Sequence, residues 1–391
     1  MQIYQGTFKF AQMQLSYWEK KTYFTDVDFC IIGSGIVGLN AALYLQKKFP
    51  QQKILVLERG FLPYGASTRN AGFACFGSVS ELLDDLKKHS EEEVFNLVAK
   101  RWNGLKRLRS NLGDKNIAYE EYGGYEIFTA AQKQLYEQCA GSIASLNKRL
   151  QDITGVNDVY SIADERIKQF GFENVSHMIW NCAEGQLDTG KMMQALLEKV
   201  RSLGVHVLNG LNVERFTEET TQAEIVLTEG IVIKAKKLLL ATDGLTRELL
   251  PDLKVRPARA QVLVTSPIEN LPFKGTFHYD EGYYYFRDID GRVLLGGGRN
   301  LDFKGEETSD FGLTEQIQNR LEQMLKEVIL PKKEFTVEMR WSGIMGMGEK
   351  KIPIIKQMSP HIYCAVRLGG MGIAIGSLIG EEAAEMMTVN L

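Results

Sequence analysis

The residues best placed to do chemistry begin with three glycines that follow a short apolar stretch. Gly33, Gly35 and Gly38 have the G-x-G-x-x-G spacing. This spacing is typical of a strand-to-helix turn that binds a pyrophosphate, because the helix N-terminus offers free N–H groups and a positive dipole. Glu58 ends a second apolar stretch about twenty residues later, where an acid can hydrogen-bond the hydroxyls of an adenosine ribose. The segment therefore predicts a dinucleotide site.

A second group of candidate residues lies in the loop that follows Glu58. Residues 60–72 are rich in turn-forming residues and contain Arg69. A guanidinium in a glycine-rich loop near two phosphates is a natural bidentate partner for them. An ordinary surface arginine is the alternative interpretation.

The elements that must position these residues are those of an α/β protein. A chain of 391 residues exceeds what one hydrophobic core usually supports, so two domains are expected. Apolar residues at helical spacing predict helices over 90–112, 135–150, 188–200 and 314–328, and a last one through 381–387. Apolar and alternating runs predict strands over 205–208, 213–216, 223–227, 231–234, 238–244, 283–287, 292–296 and 362–366.

The composition excludes several classes of function. A net charge of −3 and scattered basic residues give no electrostatic reason to expect nucleic acid. The apolar runs are too short to span a bilayer, and residues 1–24 lack the apolar core of a signal peptide. Five cysteines without a C-x-x-C pair indicate reduced thiols and a cytoplasmic location. The histidines and cysteines show no metal-ligand spacing, so no metal site is expected.

Several ordered segments together resemble the D-amino-acid oxidase superfamily. They are residues 33–38, 58–59, 65–72, 241–244 and 367–372, joined by 257–264, 284–287 and 291–298. The pattern is most similar to the amine-oxidising branch that contains γ-glutamylputrescine, glycine and sarcosine oxidases. The resemblance covers nearly the whole chain from Asp28 to Met387.

The resemblance implies a Rossmann-like FAD-binding domain with three-layer β-β-α organisation. A substrate domain built on a mainly antiparallel sheet with helices would be interleaved with it. The expected FAD-binding domain comprises residues 25–94, 183–256 and 340–391, and the substrate domain 95–182 and 257–339, after an N-terminal extension of 1–24.

The resemblance also implies which residues contact FAD. They are Gly33, Gly35, Ile36, Gly38, Glu58, Arg59, Thr68, Arg69, Asn70, Ala71, Val213, Ala241, Gly244, Gly370, Met371, Gly372 and Ile373. The last four begin a helix whose N–H groups would stabilise the negative charge of a reduced flavin.

Two departures from the family pattern bear on the substrate. Glycine oxidases carry an arginine that clamps the substrate carboxylate, and Met345 stands where that arginine is expected. Covalent sarcosine oxidases attach flavin through a cysteine near the same region, and they activate oxygen with a lysine that corresponds to Leu294. The FAD is therefore expected to be non-covalent, and an amine, or an amino acid held by its remote end, is expected as substrate.

Alternation along residues 283–287 places three side chains on one face of a pocket strand. The pocket candidates are Tyr283, Tyr285, Arg287, Arg340, Trp341 and Met345. Packing between sheet and helix is an equal alternative for each tyrosine, and Arg287 is the side chain that could supply a carboxylate clamp from another direction.

The sequence thus predicts an FAD-dependent oxidoreductase that oxidises the C–N bond of a small amine or amino acid. Its electrons would pass to O2 or to another acceptor. Two alternatives stay open: a dehydrogenase that uses a quinone or carrier protein and oxidises an amine or an alcohol, and a non-catalytic FAD-binding subunit.

Overall fold

The computed structural model describes residues 14–389. Its strands are β1 (Val27–Ile32), β2 (Ile54–Glu58), β3 (Phe73–Ala74), β4 (Gly124–Phe128), β5 (Tyr160–Ile162), β6 (His177–Asn181), β7 (Gly185–Gln186), β8 (His206–Asn209), β9 (Val213–Glu218), β10 (Ala223–Leu227), β11 (Val232–Leu240), β12 (Arg256–Thr265), β13 (Thr276–Tyr279), β14 (Tyr284–Ile289), β15 (Arg292–Gly297), β16 (Val337–Met347), β17 (Ile354–Ser359) and β18 (Ile362–Val366). Its α-helices are α1 (Tyr17–Glu19), α2 (Ile36–Lys48), α3 (Ala66–Arg69), α4 (Val79–Lys88), α5 (Glu91–Leu112), α6 (Lys133–Thr154), α7 (Ile167–Phe170), α8 (Thr189–Ser202), α9 (Glu315–Met324) and α10 (Gly372–Thr388).

The first large sheet has the order β17-β18-β11-β1-β2-β8, with β10 and β9 attached to β11. β18, β11, β1, β2 and β8 run parallel to one another, whereas β17 is antiparallel to β18 and β10 is antiparallel to β11. Helices α2, α5, α8 and α10 cover one face, and β9 and β10 pack on the other. The expected β-β-α layering is confirmed.

One strand of this sheet corrects the sequence prediction. Residues 231–234 and 238–244 were expected to form two strands, but β11 runs unbroken from Val232 to Leu240. Its first half alternates between exposed and buried residues because it pairs with β10, and its second half is fully buried between β1 and β18.

The second large sheet has the order β16-β12-β15-β14-β13-β4-β6-β5. All its neighbours are antiparallel except β13 and β4. One face packs on α9 around a cluster of phenylalanines that includes Phe277 and Phe286. Strands from both expected parts of the substrate domain join in this one sheet.

The predicted domain boundaries stay predictions, and three of them fall inside elements, one of which is the boundary at 256/257 between the first two residues of β12. The boundary at 339/340 lies within β16, whose whole length pairs with β12. The boundary at 94/95 lies within α5, which begins after the capping box of Ser90 and Glu93. Within residues 14–389 no helix combines the length and apolar character that crossing a membrane requires. The first thirteen residues of the expected N-terminal extension lie outside the described residues.

Candidate active site

A cavity of about 470 Å³ lies between the carboxyl ends of the parallel strands of the first sheet and one face of the second sheet. Ile32, Glu58 and Ala241 line it from the first sheet, and Tyr285 and Met345 line it from the second. The carboxyl edge of a parallel sheet is where α/β folds bind ligands. The cavity therefore has a dinucleotide end, at the Gly33–Gly38 turn, and a second end beneath the antiparallel sheet.

The glycine turn is required by close packing. Gly33 has φ +104°, and a Cβ there would lie 2.6 Å from the carbonyl oxygen of Ala241. A Cβ on Gly38 would lie 2.0 Å from the carbonyl oxygen of Gly33. Gly38 thus brings α2 against β1 and does not itself line the cavity, whereas Gly33, Gly35 and Ile36 do.

Glu58 is held at the end of β2 by three hydrogen bonds. Its Oε2 accepts from the backbone N–H (3.2 Å) and the hydroxyl (2.7 Å) of Ser34, and its Oε1 accepts from Gly60 N–H (2.9 Å). The carboxylate is 7 % exposed. Oε1, which accepts only from Gly60, keeps a lone pair for a further donor, as the expected ribose contact requires.

The loop 60–72 turns on Ser67 and Asn70. Ser67 Oγ accepts from Ile36 N–H (2.9 Å) at the start of α2. Asn70 donates to the carbonyls of Ala66 and Ser67 and accepts from Gly72 N–H. The Thr68 hydroxyl donates to Pro63 O (2.8 Å), and Thr68 does not line the cavity, whereas its neighbour Ser67 does. The expected contact of Thr68 with the cofactor stays a prediction.

Arg69 lines the cavity, but its guanidinium already has partners. It lies over the rings of Tyr64 and Phe311, 4.3 and 4.7 Å from their centroids. Its Nη1 donates to Ser342 O (2.7 Å) on β16. Arg69 thereby ties the loop to the second sheet, and its expected phosphate contact stays a prediction.

The start of α10 faces the cavity. Gly370, Met371, Gly372 and Ile373 line it, and Gly369 and Gly370 have φ +62° and +83°. The N–H groups of Gly372 and Ile373 donate to no atom of the described residues. This helix crosses α2 closely, since a Cβ on Gly380 would lie 2.6 Å from Val37 O. Two helix N-termini are therefore directed at one cavity.

Asp243 joins its own segment to β16 and to the residues that precede α10. It was not among the site residues predicted from the sequence. Its Oδ1 accepts from the N–H groups of Arg367 and Leu368, and its Oδ2 accepts from Gly346 N–H. Burial raises the pKa of Asp243 although these amides oppose the shift. The signal was available, because the residue stands in the 241–244 segment that the sequence singled out. The other expected cofactor residues Arg59, Ala71, Val213, Ala241 and Gly244 also line the cavity.

Tyr283, Tyr285 and Met345, three of the candidate pocket residues, line the second end of the cavity. A Cβ on Gly296 would lie 2.6 Å from the ring of Tyr285, so this glycine makes room for the tyrosine. Burial raises the pKa of Tyr285 to about 12. Met345 Sδ lies 3.3 Å from the point where a Cβ on Gly370 would stand.

Three predicted pocket residues are not in the cavity wall. Arg287 is buried, and its Nη1 donates to the carbonyls of Ala71, Gly72 and Leu187, so it closes the structure behind the wall. Arg340 points to the opposite face of β16 and bonds α9 through Gln318 and Glu322. Trp341 donates to Arg69 O and packs in a small apolar cluster with Leu294.

A buried polar cluster at the second end was not predicted as a site. His278 Nε2 lies 2.6 Å from Glu184 Oε1, which also accepts from Thr276 Oγ1 (2.7 Å). Burial alone would lower the pKa of His278, but Glu184, Glu81 and Glu126 outweigh it and raise the value to about 9. Burial raises the pKa of Glu126 to about 7. The raised pKa favours the imidazolium form of His278 at neutral pH.

Cys75 completes this cluster at the cavity wall. The side-chain atoms of Cys75, Glu184 and His278 that could ligate a metal lie within 4.8 Å of one another. Burial raises the pKa of the Cys75 thiol, and Glu184 is already satisfied by His278 and Thr276. The expected absence of a metal site stays a prediction.

Arg101 and Glu81 also line this end and were missed. Arg101 stands among apolar residues at helical spacing on α5, and its charge on that buried face was the available signal. Burial would raise the pKa of Glu81, but His278, Lys351, the Ser78 amide and Arg101 lower it. The second end of the cavity is thus lined by charges of both signs.

Comparison with known proteins agrees with this architecture. The model of the DAO family, FAD dependent oxidoreductase, matches residues 28–386. The chain belongs to the DAO family of FAD-dependent oxidoreductases. It is 25 % identical to the probable oxidoreductase OrdL of Haemophilus influenzae over 93 % of this chain and 83 % of that protein. It is 23 % identical to γ-glutamylputrescine oxidoreductase of Escherichia coli over 92 % of this chain and 83 % of that protein.

The fold is shared with solved structures of other proteins. Glycine oxidase from Geobacillus kaustophilus superposes with a TM-score of 0.73, covering 93 % of this chain and 96 % of that one at 17 % identity. The protein is an FAD-dependent oxidoreductase, and FAD is its cofactor. The residues present fit this group, because two helix N-termini and an anchored acid surround the dinucleotide end.

Proposed function

We propose that this enzyme oxidises the C–N bond of a small amine or amino acid. The observation that carries the proposal is that the dinucleotide end of the cavity is continuous with the second end. Lining that second end are Tyr283, Tyr285, His278 and Glu81. The names of the relatives, γ-glutamylputrescine oxidoreductase and glycine oxidase, support the same chemistry. Bound FAD supplies a hydride acceptor at N5, so that the carbon beside the amine becomes an imine that water hydrolyses.

The chain's own residues would orient the substrate and stabilise charge. The first-turn N–H groups of α10 are available to a negative charge on the cofactor. The tyrosine wall offers ring faces to a second, charged amino group of the substrate, remote from the amine that reacts. No acid–base side chain is required if the amine binds in its neutral form.

We further propose that the FAD is bound non-covalently and that the enzyme acts in the cytoplasm. No cysteine stands in residues 341–348, and all five cysteines are free thiols. Precipitation of the protein with acid should release FAD into the supernatant. Flavin retained in the washed pellet would contradict the proposal.

The reaction is tested by anaerobic mixing of the holoenzyme with diamines, secondary amines, α-amino acids and glycerol 3-phosphate. Bleaching of the flavin absorbance by an amine or amino acid supports the proposal. Bleaching by the alcohol alone would contradict it, and no bleaching by any compound would favour a non-catalytic FAD-binding subunit. Oxygen is then admitted to the reduced enzyme, and fast reoxidation would identify an oxidase rather than a dehydrogenase that uses a quinone or carrier.

A further inference from the structure

Arg101 differs from the other buried arginines of the described chain. It is 5 % exposed and lies on α5, in the wall of the second end of the cavity. A guanidinium has five N–H donors. Within residues 14–389 only Nη1 makes a hydrogen bond, to Phe76 O (2.8 Å), and Nε is buried with no partner.

Two comparisons, the half-buried Arg259 and the buried Arg287, show what a fully hydrogen-bonded arginine looks like in this protein. Arg259 makes a bidentate pair with Glu306 at 2.8 and 2.9 Å. Arg287 gives its donors to four backbone carbonyls. For Arg101 no carboxylate of the described residues lies within ion-pair distance.

The two acids nearest to Arg101, Glu81 and Asp85, do not pair with it directly. Glu81 and Asp85 are near enough to favour the guanidinium, yet burial outweighs them and lowers the pKa of Arg101. Asp85 pairs with Lys351 (2.6 Å), and Glu81 accepts from Ser78 N–H (2.9 Å). A buried cation that lacks a partner is unfavourable unless a ligand supplies the negative charge.

The position of Arg101 is fixed by close packing. Gly104, one turn later on α5, packs against α10, where a Cβ would lie 2.3 Å from Ala374 O. Ala374 and its neighbour Ile373 line the cavity. The backbone of α5 that carries Arg101 is thus fixed against α10, and the side chain is buried at the wall rather than on the surface.

We infer that Arg101 binds a carboxylate of the substrate, so that the substrate is an amine that also carries a carboxylate. This inference rests on the proposed function. Because Met345 stands where a clamp was expected and Arg287 is occupied by carbonyls, Arg101 supplies the clamp from the far wall. A planar guanidinium suits a carboxylate because two N–H groups can bind both oxygens.

The test is a binding measurement on the holoenzyme that does not depend on turnover. Acetate, propionate and benzoate are titrated, each against its neutral amide, and the change in flavin absorbance and the heat of binding are recorded. We expect each carboxylate to bind at least tenfold more tightly than its amide. This preference should be lost in Arg101→Met and kept in Lys100→Met, whose side chain lies next to Arg101 on α5 but pairs with Glu382 on the surface.

Equal binding of carboxylates and amides by the wild type would overturn the inference. A preference for carboxylates over amides that is retained in Arg101→Met would also overturn the inference. If the flavin absorbance of that variant is shifted while the preference is retained, the guanidinium acts on the flavin and not on the carboxylate. If Arg101→Met fails to retain FAD, Arg101→Lys keeps the charge without the fork, and it should keep only part of the preference.

A second measurement names the substrate class. Anaerobic flavin reduction is compared for ornithine against putrescine and for 4-aminobutyrate against propylamine, which differ by one carboxylate. We expect the carboxylated member to react at least tenfold faster in the wild type. Equal rates would overturn the inference and leave the proposed function intact, whereas no reduction by any amine would remove the proposed function and leave the carboxylate titration standing.

Discussion

The two ends of the cavity are built from different parts of the chain. The dinucleotide end is made mostly of backbone, with Gly33 and Gly38 in close contact and two helix N-termini directed inward. The second end is made of side chains, among them Arg101, His278 and Tyr285, which come from separate elements. A backbone site binds a group that every family member shares, whereas a side-chain site can differ in each member. The difference explains why the cofactor follows from the family and the substrate does not.

The largest effect is expected where a side chain is forced into the backbone end. Gly38→Ala places a Cβ 2.0 Å from Gly33 O, so α2 must move away from β1. We expect a loss of roughly 3 kcal/mol or more in stability, and protein purified with little FAD. Flavin content and the unfolding midpoint measure both effects.

Gly141 provides the matched control for that substitution. It is also a helical glycine, exposed on α6, and a Cβ there meets nothing within 4 Å. Gly141→Ala should keep its FAD and be stabilised by about 0.5–1 kcal/mol. A Gly38→Ala protein that binds FAD normally would show that the glycine turn is not under the constraint described.

Arg287 tests whether the buried charges at the second end have distinct roles. Its donors serve four carbonyls, so Arg287→Met leaves several buried acceptors without partners. We expect a loss of about 3 kcal/mol in the free energy of unfolding, with the preference among amine substrates unchanged. Arg340→Met, on the other face of β16, should cost roughly 1 kcal/mol. A changed substrate preference with normal stability would place Arg287 in the clamp role instead of Arg101.

Substitution of Glu58 tests the acidic side chain at the dinucleotide end, which is otherwise made mostly of backbone. Glu58→Gln keeps the shape and removes the charge that the ribose hydroxyls would meet. We expect FAD to bind about ten- to a hundredfold more weakly, which corresponds to roughly 1.5–3 kcal/mol. Titration of apoprotein with FAD measures this, and Glu214→Gln, an exposed acid on β9, is the control. An unchanged affinity for FAD would show that Glu58 does not bind the ribose and is only the last residue of β2.

The same contrast explains what could be predicted from the sequence. The glycine turn and Glu58 lie within one local unit, so their spacing alone indicates their role. The His278–Glu184 pair depends on β13 lying beside β4 and β4 beside β6, a pairing that no local pattern encodes. Alternation along residues 283–287 put Tyr283 and Tyr285 on one face, and both line the cavity, but it could not show that the longer Arg287 reaches behind the wall. Arg101 was visible only as a charge on an apolar helix face.

The smallest expected effect is a pH dependence of stability, and it comes from the second end of the cavity. The folded-state pKa of His278 is raised from 6.5 to about 9. A histidine whose pKa is raised in the folded state contributes stability that is fully present below about pH 6.5, its unfolded-state pKa. This stability is lost as the pH rises through about 9. The unfolding temperature of the wild type should therefore fall between pH 6.5 and 9.5, and by a few degrees less in His278→Gln, which cannot titrate.

His206 is the control, because burial lowers its pKa and it stays neutral across the same window. His206→Gln should keep the wild-type slope of unfolding temperature against pH. Equal slopes in all three proteins would mean that His278 is not charged in the folded protein. The second end of the cavity would then carry one positive charge fewer, and the carboxylate would depend on Arg101 without a neighbouring imidazolium. A slope that flattens only in His278→Gln would locate the charge in the cluster with Glu184, on the side of the cavity that the sequence describes least.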